Sequence, residues 1–312
     1  MAAAIPPRDP LISIIIVSYQ SAACLRGALA AVLAQDYPNY EVILVENAST
    51  DQSLAVAREF EPRGLNIIVN TTNRGFAGGN NDGVRASRGE IVFLVNPDAL
   101  MDPGCLREVA LAFASRADLG ILGAKLVDAD GRTLLHCGGR VDAAAHCQLD
   151  GRGEIDRGQW DSVREVHFVI GAAYAVRREL WDRLGGFDED FNPCYYEDTD
   201  QCLRCRRLGY KVLYWPRVRL IHPESVKSCV FGTPAFWWNH HRHRLWFQCK
   251  NASLLSLLFR VLPIEARWYC SRQSVGLRAL MLKIYYYTFR RYVARKILRI
   301  SPPGSKERNR KR

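Results

Sequence analysis

No stretch of this chain has the roughly eighteen consecutive apolar residues that a bilayer span requires. The nearest, Ala252 to Ile264, is shorter, contains Arg260 and runs into Glu265. A secretory leader is not expected either. Met-Ala-Ala-Ala-Ile-Pro-Pro lacks a basic n-region, and the apolar run Leu11 to Val17 is short and strand-like. Without an oxidising compartment, the ten cysteines are read as reduced thiols. Cys202 and Cys205 have the spacing of a redox or zinc pair, but no second pair stands at zinc-ribbon distance. They lie in a helical run, so packing is their expected role. His240-His241-Arg242-His243 misses structural zinc spacing as well and reads as a polar face beside the aromatic Phe236-Trp237-Trp238. The glycine-rich Asn73 to Gly83 is neither a dinucleotide fingerprint nor a P-loop. Acid is scarce at the C-terminal end. Glu265 to Arg312 holds 14 Lys/Arg and two Glu, whereas the rest of the chain holds 29 basic and 30 acidic side chains, a net of −1. A neutral body argues against nucleic-acid binding, and a basic tail argues for contact with an anionic surface.

At 312 residues there is room for one large α/β domain plus an appendage, or for two small domains. Leu11 to Ser18, Glu41 to Val45 and Asn66 to Val69 read as strands, separated by helices Leu25 to Gln35 and Ser53 to Phe60. Thr50 or Asp51 is placed to cap the second helix. The β-α-β-α-β order predicts a parallel sheet with right-handed crossovers. The glycine-rich stretch predicts a loop that turns helical towards Ala86, with close backbone approach to a phosphate and Arg74 nearby. Ile91 to Val95 is a buried strand that ends in Asn96-Pro97-Asp98, and a helix from Pro103 to Ser115 follows. Ile121 to Val127 leads into a hairpin signal at 128–131, and Leu134 to Gln159 has no clear period and reads as loop. Strands Glu165 to Ile170 and Ala172 to Val176, a helix Arg178 to Leu184 closed by Gly185-Gly186, and a helix from Glu197 to Leu208 come next. Lys211 to Trp215 is a strand stopped by Pro216, and Val218 to Ile221 runs into His222.

Asp98 stands at the carboxyl edge of the sheet, where open α/β sheets bind ligands, and it could hold a divalent cation or cap a helix. Glu197, Asp198 and Asp200 put three carboxylates at one helix N-terminus. The macrodipole explains some of them, and like charges so close make one a candidate general base. His222, at a strand end, is a candidate metal ligand or an ordinary satisfied residue.

In this order the chain resembles the family 2 glycosyltransferases of the GT-A fold, and among them the rhamnosyltransferase-like branch. The matching stretches are Ser13 to Tyr19, Val45 to Asp51, Asn73 to Asn81, Leu94 to Asp98, Gly185 to Phe191 and Glu197 to Asp200. The resemblance implies an α/β GT-A nucleotide-sugar-binding fold with a mostly parallel central sheet flanked by helices and a C-terminal basic helical appendage. The resemblance covers roughly residues 11 to 230; the chain as a whole reads as an N-terminal extension at 1–10, the transferase domain at 11–235, a helical region at 236–300 and a disordered basic tail at 301–312. Inverting transfer from a nucleotide diphosphate sugar (dTDP-rhamnose or a UDP-sugar) to a hydroxyl of a glycan or polyprenyl-linked acceptor would follow, in cell-surface polysaccharide synthesis. Asp98 and His222 would hold Mg²⁺ or Mn²⁺, and Asn96 would face the ribose. Asp198 would be the base, with Glu197 its alternative. Ser18, Tyr19, Glu46 and Asn47 would line the nucleobase side and Arg74 the donor side. Glu46 departs from the Asp usual at its position, keeping the acceptor atoms on a longer arm. The Gln-x-x-Arg-Trp element of processive synthases is missing, so one transfer per encounter is expected.

Two rivals differ in chemistry. A sugar-phosphate nucleotidyltransferase would need a basic, glycine-rich loop after the first strand, and Tyr19-Gln20-Ser21-Ala22 has neither. A catalytically impaired nucleotide-sugar-binding module would spare the scaffold, but Asp98 and Asp198 are retained. From Arg267 to Ile300 basic residues alternate with Tyr, Leu, Ile and Phe, and Arg291, Arg295 and Arg299 recur at helical spacing. That pattern predicts a cytoplasmic protein held peripherally on the inner membrane face.

Overall fold

The computed structural model describes residues 9–223, 233–271 and 275–297. These fall into two compact units, one drawn from 1–140 and 147–228, the other from 141–146 and 229–312. Residues 1–8, Arg299 and the basic tail at 301–312 lie outside the described residues.

The first unit opens with β1 (Ile12–Ser18), α1 (Ala22–Val32), β2 (Tyr40–Glu46), α2 (Ser53–Arg58), β3 (Leu65–Val69), α3 (Gly75–Ala86) and β4 (Ile91–Val95). Continuous apolar runs leave no polar face, so such strands must be covered on both sides. Ile12, Ile14, Ile15 and Ile16 of β1 and all five residues of β4 are buried accordingly. β1 pairs in parallel with both β2 and β4, and β2 pairs in parallel with β3. This half matches the expected β-α-β-α-β sheet.

Next come β5 (Leu100–Met101), α4 (Cys105–Ser115), β6 (Leu119–Val127), β7 (Leu134–His136), β8 (Gly139–Val141), β9 (Cys147–Leu149) and β10 (Arg164–Glu165). The unit ends with β11 (Ala173–Arg177), α5 (Arg178–Leu184), α6 (Glu197–Arg207) and β12 (Lys211–Ile221). The sheet order is β10-β12-β6-β11-β4-β1-β2-β3. β11 is antiparallel to both β4 and β6, β12 is parallel to β6, and β10 is antiparallel to β12. The sheet is therefore mixed, not mostly parallel as expected. A parallel return from β6 needs a crossover connection, usually an α-helix. The chain from β6 to β11 has only short strands, so β11 comes back in the opposite sense.

Several local expectations change as well. α3 begins at Gly75, so its glycines lie in the helix: an added Cβ on Gly79 would sit 2.7 Å from Val17 and one on Gly83 2.4 Å from Ile15. They permit close helix–strand packing. α4 starts at Cys105 behind a left-handed Gly104, leaving Pro103 outside it. Pro216 does not end its strand. β12 runs through it with a register shift between Trp215 and Arg219. The stretch 134–159 holds β7, β8 and β9, and of the next expected strand, Glu165 to Ile170, only Glu165 lies in a strand, β10. Cys202 and Cys205 are free and fully buried on α6, in keeping with a packing role.

The second unit is helical. α7 (Pro234–Asn251) is capped by the Thr233 hydroxyl, which accepts from the Phe236 N–H at 3.2 Å. A helical path from α8 (Leu254–Ser256) to α9 (Leu262–Cys270) includes a π turn over Leu257–Val261, and α10 (Val275–Tyr292) follows. Leu245, Met281 and Ile284 form a small core. Arg244 is fully buried, donates to Glu265 at 2.7 Å and to the Ala144 carbonyl at 2.6 Å, and Tyr285 also donates to Glu265 at 3.0 Å. Removing one member of such a pair leaves a buried charge uncompensated, at a cost of about 3–5 kcal/mol. No helix among the described residues is long and apolar enough to cross a membrane.

Candidate active site

The turn after β4 brings together three of the predicted residues. The Asn96 N–H donates to the Ala172 carbonyl at 3.0 Å, and the Ala99 N–H donates back to the Asn96 carbonyl at 3.1 Å, closing the turn around Pro97-Asp98. Immediately after it, β5 pairs antiparallel with the end of β12, Ile221 opposite Leu100. That ladder, together with the His222 N–H donating to the Val127 carbonyl at 2.7 Å, places His222 at Asp98. The His222 Nε2 stands 3.2 Å from Asp98 Oδ1 and 3.2 Å from the Asn96 amide nitrogen. Carrying a hydrogen, this nitrogen donates to Asp98; without one, its single lone pair accepts from Asn96, and a cation would take that same lone pair in the amide's place. Both Asp98 and His222 are buried. Asp98 caps no helix, since α4 begins at Cys105.

A carboxylate oxygen and an imidazole nitrogen so close suit a divalent cation that takes its other ligands from substrate oxygens and water. Among the described residues no cluster of three or more His, Cys, Asp or Glu could hold a metal alone. Among the described residues, Asp98 and His222 are the pair whose chemistry fits a divalent cation that takes its remaining ligands from elsewhere.

The dipeptide Gly171-Ala172 links this turn to the carboxylate cluster. While Ala172 accepts from Asn96, the Gly171 N–H donates to Asp198 Oδ2 at 2.9 Å. An added Cβ on Gly171 would lie 2.6 Å from the Phe76 ring, so only glycine fits there without displacement. Tyr195 and Tyr196 deliver the cluster with φ of 80° and 75°. Left-handed backbone at bulky residues costs about 1–3 kcal/mol each and is concentrated at functional sites.

The three carboxylates have separate surroundings. Asp200 pairs with Arg204 at 2.7 Å, and Arg204 also donates to the Leu184 and Gly186 carbonyls, tying α6 to the end of α5. That is a structural task. Asp198 is half-buried and accepts from the Thr199 N–H at 2.6 Å and hydroxyl at 3.1 Å as well as from Gly171. Burial pushes its carboxyl above the ordinary 3.8, against the pull of those hydrogen bonds. Glu197 is buried, and its Oε2 has no hydrogen-bond partner among the described residues. Burial, and then the Asp198 charge, push its carboxyl well above 4.5.

At the ends of β1 and β2 lie the other predicted residues. Ser18 is fully buried with its hydroxyl unpartnered among the described residues, and Tyr19 is exposed beside it. Glu46 is buried and turned onto its own loop, accepting from the Ala48 N–H at 3.1 Å and the Ser49 N–H at 2.8 Å. Asn47 is a latch: its amide donates to Asn73 and the Gly75 carbonyl and accepts from Asn70 and the Arg74 N–H, all at 3.0–3.1 Å. Its four hydrogen-bonding positions are all used by the chain. Arg74 pairs with Asp82 at 2.7 Å and Glu189 at 3.3 Å, with its side chain 39% exposed.

Sequence reasoning missed His136. It is buried on β7, its Nε2 accepts from the Ile170 N–H at 3.4 Å, and burial, Arg152 and His222 hold it down to about 3. It is thus a neutral support for the segment that carries Gly171. Nothing in Leu134-Leu135-His136 signals this, because the contact spans 34 residues.

Residues 13–184 match the family model described as glycosyl transferase family 2. The chain is 31% identical over 256 residues to the O-antigen biosynthesis protein RfbC of Myxococcus xanthus, covering 78% of this chain and 20% of that protein. It is 33% identical over 236 residues to the uncharacterized protein y4gI of Sinorhizobium fredii, covering 72% of this chain and 26% of that one. It therefore spans about a quarter or less of the length of these relatives. Among solved structures it is similar to the mannosyltransferase PcManGT from Pyrobaculum calidifontis in complex with GDP-Man and Mn²⁺, with a TM-score of 0.56 and 20% identity over 92% of this chain and 83% of that one. That likeness carries the fold, which is mixed α/β and GT-A-like.

Proposed function

The chain belongs to glycosyl transferase family 2, and from that premise we propose that it moves a hexosyl group from a nucleotide diphosphate sugar to an acceptor hydroxyl with inversion. The donor is dTDP-rhamnose or a UDP-sugar, as in the rhamnosyltransferase-like branch, and the acceptor is a glycan or polyprenyl-linked hydroxyl in cell-surface polysaccharide synthesis. The observation that carries this reading is the Gly171-Ala172 bridge. One dipeptide is hydrogen-bonded at one end to Asn96, beside the Asp98–His222 pair, and at the other to Asp198. A relative named for O-antigen biosynthesis and a structural neighbour solved with GDP-Man and Mn²⁺ support it.

In this mechanism Asp198 takes the proton from the acceptor hydroxyl as that oxygen attacks the anomeric carbon. A carboxylate made more basic by burial is a better general base, a class of contribution of about 10²–10⁴-fold. Glu197, whose carboxyl is raised by burial and by the Asp198 charge, is the buried neighbour of that base. Asn96 faces the ribose, and Ser18 and Tyr19 cradle the base. Glu46 and Asn47 act on that side mainly by fixing the 48–49 and 73–75 loops, and Arg74 stands on the donor side. Asp98 and His222 would hold Mg²⁺ or Mn²⁺, which when bound offsets the charge growing on the leaving diphosphate. A single displacement inverts the anomeric centre and requires no covalent intermediate. The protein works at the cytoplasmic face of the membrane, held peripherally by its basic C-terminal segment.

The test is Mn²⁺-dependent binding of UDP, dTDP and GDP, followed by calorimetry. Wild type binds one of them more tightly with Mn²⁺, and Asp98→Ala loses that increment. Intact Mn²⁺ dependence in Asp98→Ala overturns the metal assignment, and a screen of nucleotide sugars for hydrolysis then identifies the donor.

A further inference from the structure

The second unit turns apolar side chains to solvent in an ordered way. Leu254, Leu255, Leu258, Phe259 and Leu262 are 58%, 68%, 45%, 77% and 56% exposed. They form an exposed apolar stripe along the helical path 254–262, which includes the π turn, while Leu257 and Glu265 are buried. α10 repeats the arrangement. Leu282, Tyr286 and Phe289 are exposed at i, i+4 and i+7, and Met281, Ile284 and Thr288 are buried on the other side. Large apolar side chains exposed in ordered rows of this kind mark an interaction face.

The charge around it selects the partner. Arg260, Lys283 and Arg290 are exposed beside the stripes. Between Ser225 and Lys306 the only acidic residue is Glu265, and it is buried against Arg244. A partner with an apolar interior under an anionic surface matches both features. A nucleic acid would meet the charge but not the exposed leucines.

We propose that the 254–262 stripe and the outer face of α10 seat into the interfacial region of an anionic lipid bilayer. Leu255 and Phe259 enter the acyl boundary, and Lys283 and Arg290 lie at the headgroups. This rests on the peripheral placement given above, and it goes further. Charge alone is screened over about 3 Å at 1 M salt, whereas inserted side chains are not. Binding then has a salt-resistant part carried by apolar side chains.

The experiment is co-sedimentation of the full chain with vesicles of phosphatidylcholine and phosphatidylglycerol, at low and high salt. Point variants are used because truncation after Ile264 would remove Glu265 from buried Arg244. Wild type is expected to stay partly bound at high salt. L255S/F259S lowers the partition coefficient by about tenfold or more and makes the remainder salt-labile. K283Q/R290Q weakens binding only at low salt. Both pairs are exposed, so unchanged thermal melting confirms folding. If L255S/F259S binds like wild type while K283Q/R290Q does not, insertion is wrong and charge-only docking survives. If wild type ignores the vesicles, both fail. If L255S/F259S instead turns a dimer into a monomer, or if wild type prefers single-stranded RNA to vesicles, the stripe has another occupant and the proposal falls.

Discussion

Glu197 and Asp198 adjoin in sequence but differ in what surrounds them, and each difference has a measurable consequence. The Glu197 carboxyl is raised far above 4.5 by burial and by Asp198. A raised carboxyl binds its proton more tightly in the folded state, so stability is full below the unfolded value and falls as pH rises through the folded one. Glutamine has nothing to titrate. The melting temperature of Glu197→Gln is therefore expected to gain on wild type as pH climbs from about 4.5, with the gap closing below that value. A gap independent of pH would mean that Glu197 is not held protonated. For Asp198, raised from 3.8 by burial, transfer requires the ionised form. The acid limb of kcat/KM is expected above 3.8, and a limb at 3.8 would remove burial from the account.

At the scale of elements, the sequence made the buried strands legible because an unbroken apolar run such as Ile91 to Val95 leaves little else for the chain to do. It did not reveal direction. Ala173 to Val176 is buried equally well in either sense, and the missing crossover helix before it decided the matter. Nor did it reveal that the glycines of α3 serve packing. Gly83→Ala would bring a methyl 2.4 Å from Ile15 and 3.0 Å from Val45. Overpacking of this kind costs about 1–3 kcal/mol, visible as a lower urea midpoint with an unchanged slope. Gly171→Ala acts differently. Its methyl meets Phe76, so the bridge from Asn96 to Asp198 must shift, and transfer is expected to drop more than stability does. Equal losses in both would make Gly171 merely structural.

For the whole molecule, charge and motif order were legible and geometry was not. A neutral body and a basic end were countable in the chain, and six short stretches in order pointed to the family to which it belongs. The meeting of Asp98 with His222 depends in part on a two-residue strand, β5, too short to leave a pattern. His136 supports the site across 34 residues with no local signal. The exposed stripe at 254–262 was hidden for a related reason: apolar residues in a helix are ordinarily taken to face a core.

The central claim is that Asp198 is the base of a single displacement on a donor held elsewhere in the site. Its most direct test measures Asp198→Asn twice, for sugar transfer and for Mn²⁺-dependent nucleotide binding. The expected result is transfer reduced by about 10²–10⁴-fold with nucleotide binding unchanged. Full turnover by Asp198→Asn would contradict it.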